Sequence, residues 1–256
     1  MAGLLVGKNA LVMGVANRWS IAWGIARALH REGARCLLTY LGEREEEAVR
    51  KLAEELDGAR ALPCDVLREE DLARLQQVLR EDPGEVHVLV HSIAYARTED
   101  LRGRFVDTSR EGYLVAQEVS AYSLVACARA LAPLMPSGSS ILTLTFAASS
   151  RVYPNYNVMA PAKAALECIV RYLAYELGPQ GIRVNAISAG PIKTASARAV
   201  AGFTDFLRTY AERAPLRRTV EAEDVGDVAV FLASDLSRAM TGQVLFADAG
   251  YHILGI

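Results

Sequence analysis

Seven short apolar runs rich in branched side chains alternate along this chain with longer amphipathic stretches, and few folds accommodate that rhythm. The runs are NALVMGV (9–15), ARCLLTY (34–40), ARALPCDV (59–66), VHVLVHSIA (86–94), SSILTLTF (139–146), IRVNAISA (182–189) and QVLFADA (243–249). Short, nearly continuous apolar strands need cover on both faces, which is the condition of a parallel sheet. The stretches between them, 20–33, 43–57, 68–81, 109–134, 157–178 and 221–233, have the length and pattern of the covering helices. Gly33 and Gly178 stand where two of those helices should stop. The expectation is one α/β domain over 1–256, a doubly wound parallel sheet of seven strands with helices on both faces.

No Pro-, Gly- or Ser-rich linker divides the 256 residues, and a chain of this length suits one large domain. Hydrophobic residues at 52% supply a sizeable core, and charged residues at 23% supply a mixed-sign surface. A formal net charge of −2 with scattered Lys and Arg gives no basic field, so nucleic acid is not an expected partner. The first eight residues lack a charged leader with a long apolar run, and Arg129 interrupts the longest apolar stretch, around 119–135. Neither a signal peptide nor a membrane span is expected, and the cytoplasm is the expected compartment. Cys36, Cys64, Cys127 and Cys168 lie far apart in apolar surroundings, as buried hydrophobes of a reducing compartment do. His30, His87, His91 and His252 show no metal-ligand spacing, so no metal is expected, and His91 reads as a packing residue at a strand end.

After the first run, Gly14-Val15-Ala16-Asn17-Arg18-Trp19-Ser20-Ile21 leads into the helix IAWGIARALHREG. A dinucleotide loop needs a glycine where the backbone turns sharply off a strand, and a helix N-terminus whose free N–H groups receive the pyrophosphate. Gly14 and the amides near Ser20 and Ile21 meet both needs, although the G-x-G-x-x-G spacing is absent. Ser20 is also placed to cap the helix. Further contacts are expected at Asp65-Val66, where an adenine edge would lie, and at Ser92-Ile93-Ala94 beyond the fourth strand; Asp65 reads equally well as a cap for the next helix. Residues 191–219 form a connection far longer than the usual length of about two to six residues. Ligands of open α/β sheets bind beyond the carboxyl ends of the strands, so this segment is a candidate substrate-binding lid.

The run Asn155-Tyr156-Asn157-Val158-Met159-Ala160-Pro161-Ala162-Lys163 follows the fifth strand and opens a long helix. Seven residues are almost two turns, so on a regular helix Tyr156 and Lys163 share a face about 10 Å apart along the axis. Pro161 inside that helix removes a backbone hydrogen bond and is expected to kink its start. Lys163 lies in the apolar run VMAPAKAALECIV, where its charge needs a partner, and the ribose hydroxyls of a nicotinamide nucleotide would provide one. Tyr156 is then placed to donate a hydrogen bond to an oxygen that gains charge during hydride transfer. Read structurally, the same pair is a core phenol and a lysine reaching out from a helix edge.

The motifs GVANRWSIAWGIA, LPCDV, VHSIA, EDLRGRF, AYSLVA, YNVMAPAKAALE, IRVNAISAGPIKT, APLRRT and TGQVLFADAGYH together resemble the enoyl-acyl-carrier-protein reductases, a divergent branch of the short-chain dehydrogenase/reductase family, over essentially the whole chain. The resemblance implies a Rossmann-like fold with Gly14, Ser20 and Ile21 at the dinucleotide phosphates and Asp65 and Val66 at the adenine. It further implies Ser92, Ile93 and Lys163 on the nicotinamide-side ribose, and Ile192, Lys193, Thr194, Ala195 and Ser196 around the nicotinamide and pyrophosphate. Ala96, Tyr156, Met159 and Phe203 would border the substrate. The implied reaction is hydride delivery from NADH to the β-carbon of a trans-2-enoyl thioester on acyl carrier protein, the last step of the fatty-acid elongation cycle, with Tyr156 stabilising the enolate. A homotetramer is implied too, and it would cover the apolar faces of the helices at 109–134 and 157–178 and the apolar tail from Tyr251 to Ile256.

Three further features refine this expectation. Short-chain reductases of carbonyls carry Tyr four residues before the Lys and Ser thirteen before that Tyr; Met159 and Phe146 stand there, and neither can protonate an alkoxide, which favours reduction of a conjugated double bond. Phe146 also occupies the position, ten residues before Tyr156, where many of the resembled reductases place a second Tyr, and it reads as a shape-keeping wall. The second strand ends in Thr39-Tyr40-Leu41-Gly42-Glu43-Arg44, with no carboxylate directly at its tip and with Arg44 within reach of a 2′-phosphate. Relatives with a similar run mostly use NADH, so NADH is the expected cofactor and NADPH the alternative. Two other functions share these residues: a reductase recruited to specialised metabolism, motivated by Phe146 and Pro161, and a non-catalytic dinucleotide-binding relative, against which the retention of both Tyr156 and Lys163 speaks.

Overall fold

The computed structural model describes residues 3–194 and 202–255. Each of the seven apolar runs contributes a strand: β1 (Asn9–Met13), β2 (Arg35–Tyr40), β3 (Arg60–Pro63), β4 (Val88–His91), β5 (Ser140–Thr145), β6 (Arg183–Ala189) and β7 (Val244–Ala247). They form one parallel sheet in the order β3-β2-β1-β4-β5-β6-β7. In the register Leu11 faces Leu37 on one side and Leu89 on the other. The described helices are α1 (Ile21–Arg31), α2 (Glu43–Glu54), α3 (Glu69–Glu81), α4 (Arg110–Gln117), α5 (Ser123–Leu131), α6 (Met159–Leu177), α7 (Phe203–Arg213) and α8 (Ala222–Ala233).

Successive side chains of a strand point to opposite faces, so each strand feeds two cores. Ala10 and Val12 of β1 pack with Ile25 and Leu29 of α1, Val49 and Leu52 of α2, and Val225 and Leu232 of α8. Leu11 and Met13 pack on the other side with Leu72 and Leu75 of α3, Leu124 and Leu131 of α5, and Leu166 and Val170 of α6. α1 and α8 cross at two glycines. A Cβ on Gly24 would lie 2.6 Å from the Cβ of Ala222, and one on Gly226 would lie 2.7 Å from that of Ala28, so only glycine permits this backbone approach.

The differences from expectation are local. The strands stop short of the apolar runs, and Asp65, Val66, Ser92, Ile93 and Phe146 therefore stand in the turns beyond β3, β4 and β5. The helix expected over 109–134 is two helices joined by a wide π-helical turn, Glu118–Tyr122, where Ser123 donates its hydroxyl hydrogen back to the Val119 carbonyl at 2.6 Å. Gly33 ends α1 with φ +94°, whereas Gly178 stays right-handed at −53°; the left-handed residue after α6 is Gly181, one 3₁₀ turn later. Cys36, Cys64 and Cys127 are buried, and burial pushes the first two thiols up to about 12, but Cys168 is exposed on α6 rather than in the core. Among the described residues no helix is long and apolar enough to cross a membrane.

Candidate active site

The strand order reverses between β1 and β4, the place where open α/β sheets bind ligands beyond the carboxyl ends of their strands. Gly14 leaves β1 at φ +86°, and a Cβ at that position would overlap the Ser92 carbonyl oxygen and lie 3.2 Å from Cγ1 of Ile93. The structure therefore brings Gly14, Ser92 and Ile93 together. Asn17 closes the turn that follows, its side-chain oxygen accepting from the Trp19 amide at 2.9 Å. Ser20 stands at the N-cap of α1, but its side chain does not cap the helix as expected; its hydroxyl donates to the Asn17 carbonyl at 2.5 Å. The first-turn N–H groups of Ile21 and Ala22 consequently have no partner among the described residues and point out of the helix N-terminus.

On the far side of β1, Asp65 does not cap α3, whose N-cap is Arg68; one carboxylate oxygen accepts from the Leu67 amide at 3.0 Å, shaping the turn. Val66 is buried beside it in the second core. Arg44 lies in the first turn of α2 among Glu43, Glu45 and Glu46.

Tyr156 and Lys163 do not share a helix face. α6 begins at Met159, and Tyr156 stands in the preceding loop, where its carbonyl accepts the Met159 amide at 3.0 Å. Asn155 and Asn157 flank it at φ +64° and +31°, a region that Asn tolerates better than most residues. The Asn157 amide donates to the carbonyls of Arg102 and Gly103 and so ties the loop to the segment beyond β4. Pro161, expected to kink the helix, sits in its first turn, where a backbone N–H would have no intrahelical acceptor, and therefore costs little.

The half-buried Tyr156 ring packs with Ala96 against Leu101, Ala116, Val158 and Met159, and on another side it meets Phe146 with ring centroids 5.1 Å apart. Its hydroxyl has no hydrogen-bond partner among the described residues, and burial raises its pKa, so it stays a protonated donor. Lys163 is buried, 5% exposed, and among the described residues its Nζ makes one hydrogen bond, to the Leu144 carbonyl at 2.7 Å. Burial lowers its pKa to about 8 against the opposing pull of Glu167, one turn along α6. His91 ends β4 as a fully buried neutral residue, lowered to about 3 by burial and by Lys163, with its ring nitrogens against Thr143 Oγ1 at 3.0 Å and Ser123 Oγ at 2.8 Å.

Several residues of this region escape sequence reasoning. Ser120, fully buried in the π-helical turn, accepts from the Tyr95 amide at 2.9 Å and donates to the Tyr95 carbonyl at 3.1 Å, fixing the backbone beside Ala96. Its only sequence signal is a serine inside an apolar stretch. Tyr153 packs on Phe146 at 4.7 Å and edge-on against Phe206 of α7 at 5.7 Å. Of the expected residues beyond β6, Ile192 is buried, and exposed Lys193 lines an open cleft of about 360 Å³ with Phe203, Leu207 and Arg208. Thr194 closes a tight turn on the Ile192 carbonyl at 2.8 Å. Ala195 and Ser196 lie outside the described residues.

A nicotinamide dinucleotide fits this arrangement. Lys163 holds a buried ammonium with two of its three hydrogens unsatisfied among the described residues, the chemistry that vicinal ribose hydroxyls accept. The α1 terminus offers free amides to phosphate at a turn where only glycine can pass.

Comparison with known proteins agrees with this reading. Residues 14–252 match the model of the enoyl-(acyl carrier protein) reductase family. The NADH enoyl-[acyl-carrier-protein] reductase FabI of Bacillus cereus is 55% identical over 98% of this chain and 99% of its own. The NADPH FabI of Staphylococcus aureus is 46% identical over 98% of each chain. The crystal structure of the Bacillus cereus enoyl-acyl carrier protein reductase with NADP+ and indole naphthyridinone superposes with a TM-score of 0.97, covering 99% of this chain and 100% of that one. The Aquifex aeolicus reductase gives 0.95 at 47% identity, covering 99% of this chain and 100% of that one. With the family model matched across residues 14–252 and relatives 46–55% identical over nearly the whole chain, the chain belongs to the enoyl-acyl-carrier-protein reductase family.

Proposed function

We infer that the protein reduces the carbon–carbon double bond of trans-2-enoyl thioesters carried by acyl carrier protein, with NADH or NADPH as reductant, at the end of each fatty-acid elongation cycle. The observation that carries this reading is a buried lysine with spare hydrogens and a phenol on an apolar wall with no hydrogen-bond partner for its hydroxyl, both read among the described residues. The bound dinucleotide would supply hydride to the β-carbon. Lys163 binds the ribose and, while cationic, favours negative charge in its neighbourhood. Tyr156 donates a hydrogen bond to the thioester oxygen as enolate charge forms there, and a proton taken up from water at the α-carbon then collapses the enolate to the saturated thioester. Ala96, Met159 and Phe146 exclude water from the same oxygen, which strengthens that hydrogen bond. At the positions where carbonyl reductases keep their acid, Met159 and Phe146 hold no proton to give, so reduction of the double bond without alkoxide formation suits the site.

Around this centre, Gly14, Ser20 and Ile21 hold the phosphates, Asp65 and Val66 the adenine, Ser92 and Ile93 the ribose, and Ile192 to Ser196 the nicotinamide side. Residues 191–219, with α7 and Phe203, act as the lid. The acidic first turn of α2 around Arg44 disfavours a 2′-phosphate, so NADH is the preferred cofactor. A cytoplasmic homotetramer completes the reading, supported by the groove between the π-helical turn and α6 and by the exposed Leu114, Tyr122, Tyr172 and Tyr175. Spectrophotometric assay with crotonyl and longer 2-enoyl thioesters tests it: NADH oxidation is expected with straight-chain substrates and exceeds NADPH oxidation. Absence of turnover with every enoyl thioester would refute the function, and a strong preference for NADPH would refute the cofactor assignment.

A further inference from the structure

An unbroken series of aromatic contacts runs from the Tyr156 ring to α7 and the C-terminal segment. Tyr156 meets Phe146 at 5.1 Å, Phe146 meets Tyr153 at 4.7 Å, and Tyr153 meets Phe206 edge-on at 5.7 Å. Phe206 continues to Tyr210 at 5.9 Å, and Tyr210 stacks on Tyr251 at 4.2 Å. The far end is anchored. Tyr210 is 1% exposed and donates to the Asp248 carbonyl at 2.5 Å, while Arg151, two residues before Tyr153, donates to the carbonyls of His252 and Leu254. Tyr153 is the link that joins the loop carrying Tyr156 to the helix carrying Phe203. Its hydroxyl makes no hydrogen bond among the described residues, so its ring is what the structure uses.

We propose that Tyr153 is a specificity-determining residue, the ring that carries the apolar wall of the acyl pocket from Tyr156 across to α7 and against which the distal part of a long acyl chain lies. The proposal rests on the enoyl reductase reading above and adds what decides acyl length. A thioester headgroup held at Tyr156 directs a short chain only as far as Phe146, whereas a longer chain reaches the surface formed by Tyr153 and Phe206. Tilted and edge-on ring pairs of this kind hold one another in place, so truncating the middle ring leaves Phe206 without its partner and opens the wall.

The test compares kcat/KM for crotonyl and dodecenoyl thioesters in wild type, Tyr153→Ala, Tyr153→Leu and Tyr153→Phe, with the NADH dissociation constant as a measure of the intact fold. For Tyr153→Ala the ratio of long-chain to short-chain kcat/KM is expected to fall about tenfold through a raised long-chain KM, with crotonyl values and NADH affinity within about twofold of wild type. Tyr153→Leu, which keeps bulk, should fall between, and Tyr153→Phe should match wild type. Equal losses on both substrates, no loss on either, or a Tyr153→Phe variant as impaired as Tyr153→Ala would overturn the proposal. An inactive wild type would instead overturn the reductase reading itself.

Discussion

Lys163→Met weakens NADH binding about 100-fold, measured by fluorescence titration, while leaving the melting temperature within a few degrees of wild type. The two halves of this expectation have one cause. Lys163 is buried with a single hydrogen bond among the described residues, to the Leu144 carbonyl, so the free protein bears the cost of a desolvated ammonium that a ligand relieves. A methionine of similar length removes that cost and leaves one carbonyl unpaired, changes of comparable size and opposite sign. Two charge-assisted hydrogen bonds to ribose at about 1.5 kcal/mol each, roughly 3 kcal/mol together, account for the lost affinity. The pH dependence follows with a definite sign. Because burial lowers the Lys163 pKa to about 8, the ammonium is present below that pH and is lost above it, so wild-type NADH affinity falls as pH rises through about 8. The Lys163→Met protein should show no such inflection there. His91, neutral across this range, does not contribute to it.

Gly14→Ala destabilises the fold by roughly 4 kcal/mol, which lowers the melting temperature by about 10 °C, and abolishes measurable dinucleotide binding. At φ +86° any side chain is strained, and the added methyl overlaps the Ser92 carbonyl oxygen across the junction of β1 and β4. The carbonyl belongs to the residue after β4 and can move only by parting the loops at the strand ends, where the ligand would bind. Calorimetry on Gly14→Ala beside Gly42→Ala gives the contrast. Gly42 precedes α2, and a Cβ there meets nothing within 4 Å, so that change should leave stability close to wild type.

What the sequence reveals and conceals follows from which forces leave a linear trace. The sheet was legible because every position of β4 and β5 is buried, which fills most of them with apolar residues such as Val88, Leu89, Val90, Ile141, Leu142 and Leu144, whatever the loops do. The Gly14 turn was legible for a similar reason, since a left-handed turn against a neighbouring strand admits one residue type. The start of α6 differs from the expected kinked helix because Pro161 lies in the first turn, where proline removes no intrahelical hydrogen bond, and Tyr156 is left outside the helix. Placing Tyr156 depends on two asparagines with positive φ, and the side chain of one of them, Asn157, reaches the segment at 102–103, far away in sequence. The π-helical turn is likewise imposed from outside, by Ser123 under His91 and Ser120 under Tyr95, and no periodicity announces it. Tyr153 left no signal at all, because an aromatic in an irregular loop gains its meaning only from the rings that fold against it.

The central claim is that the Tyr156 phenol meets charge forming on a thioester oxygen, and its most direct measurement is kcat for a 2-enoyl thioester at saturating NADH in Tyr156→Phe against wild type. The variant keeps the ring against Phe146 and the Met159 cluster and removes one hydrogen-bond donor. A fall in kcat of about 100-fold with KM and NADH affinity nearly unchanged is the predicted result. A Tyr156→Phe protein that turns over at the wild-type rate would contradict it.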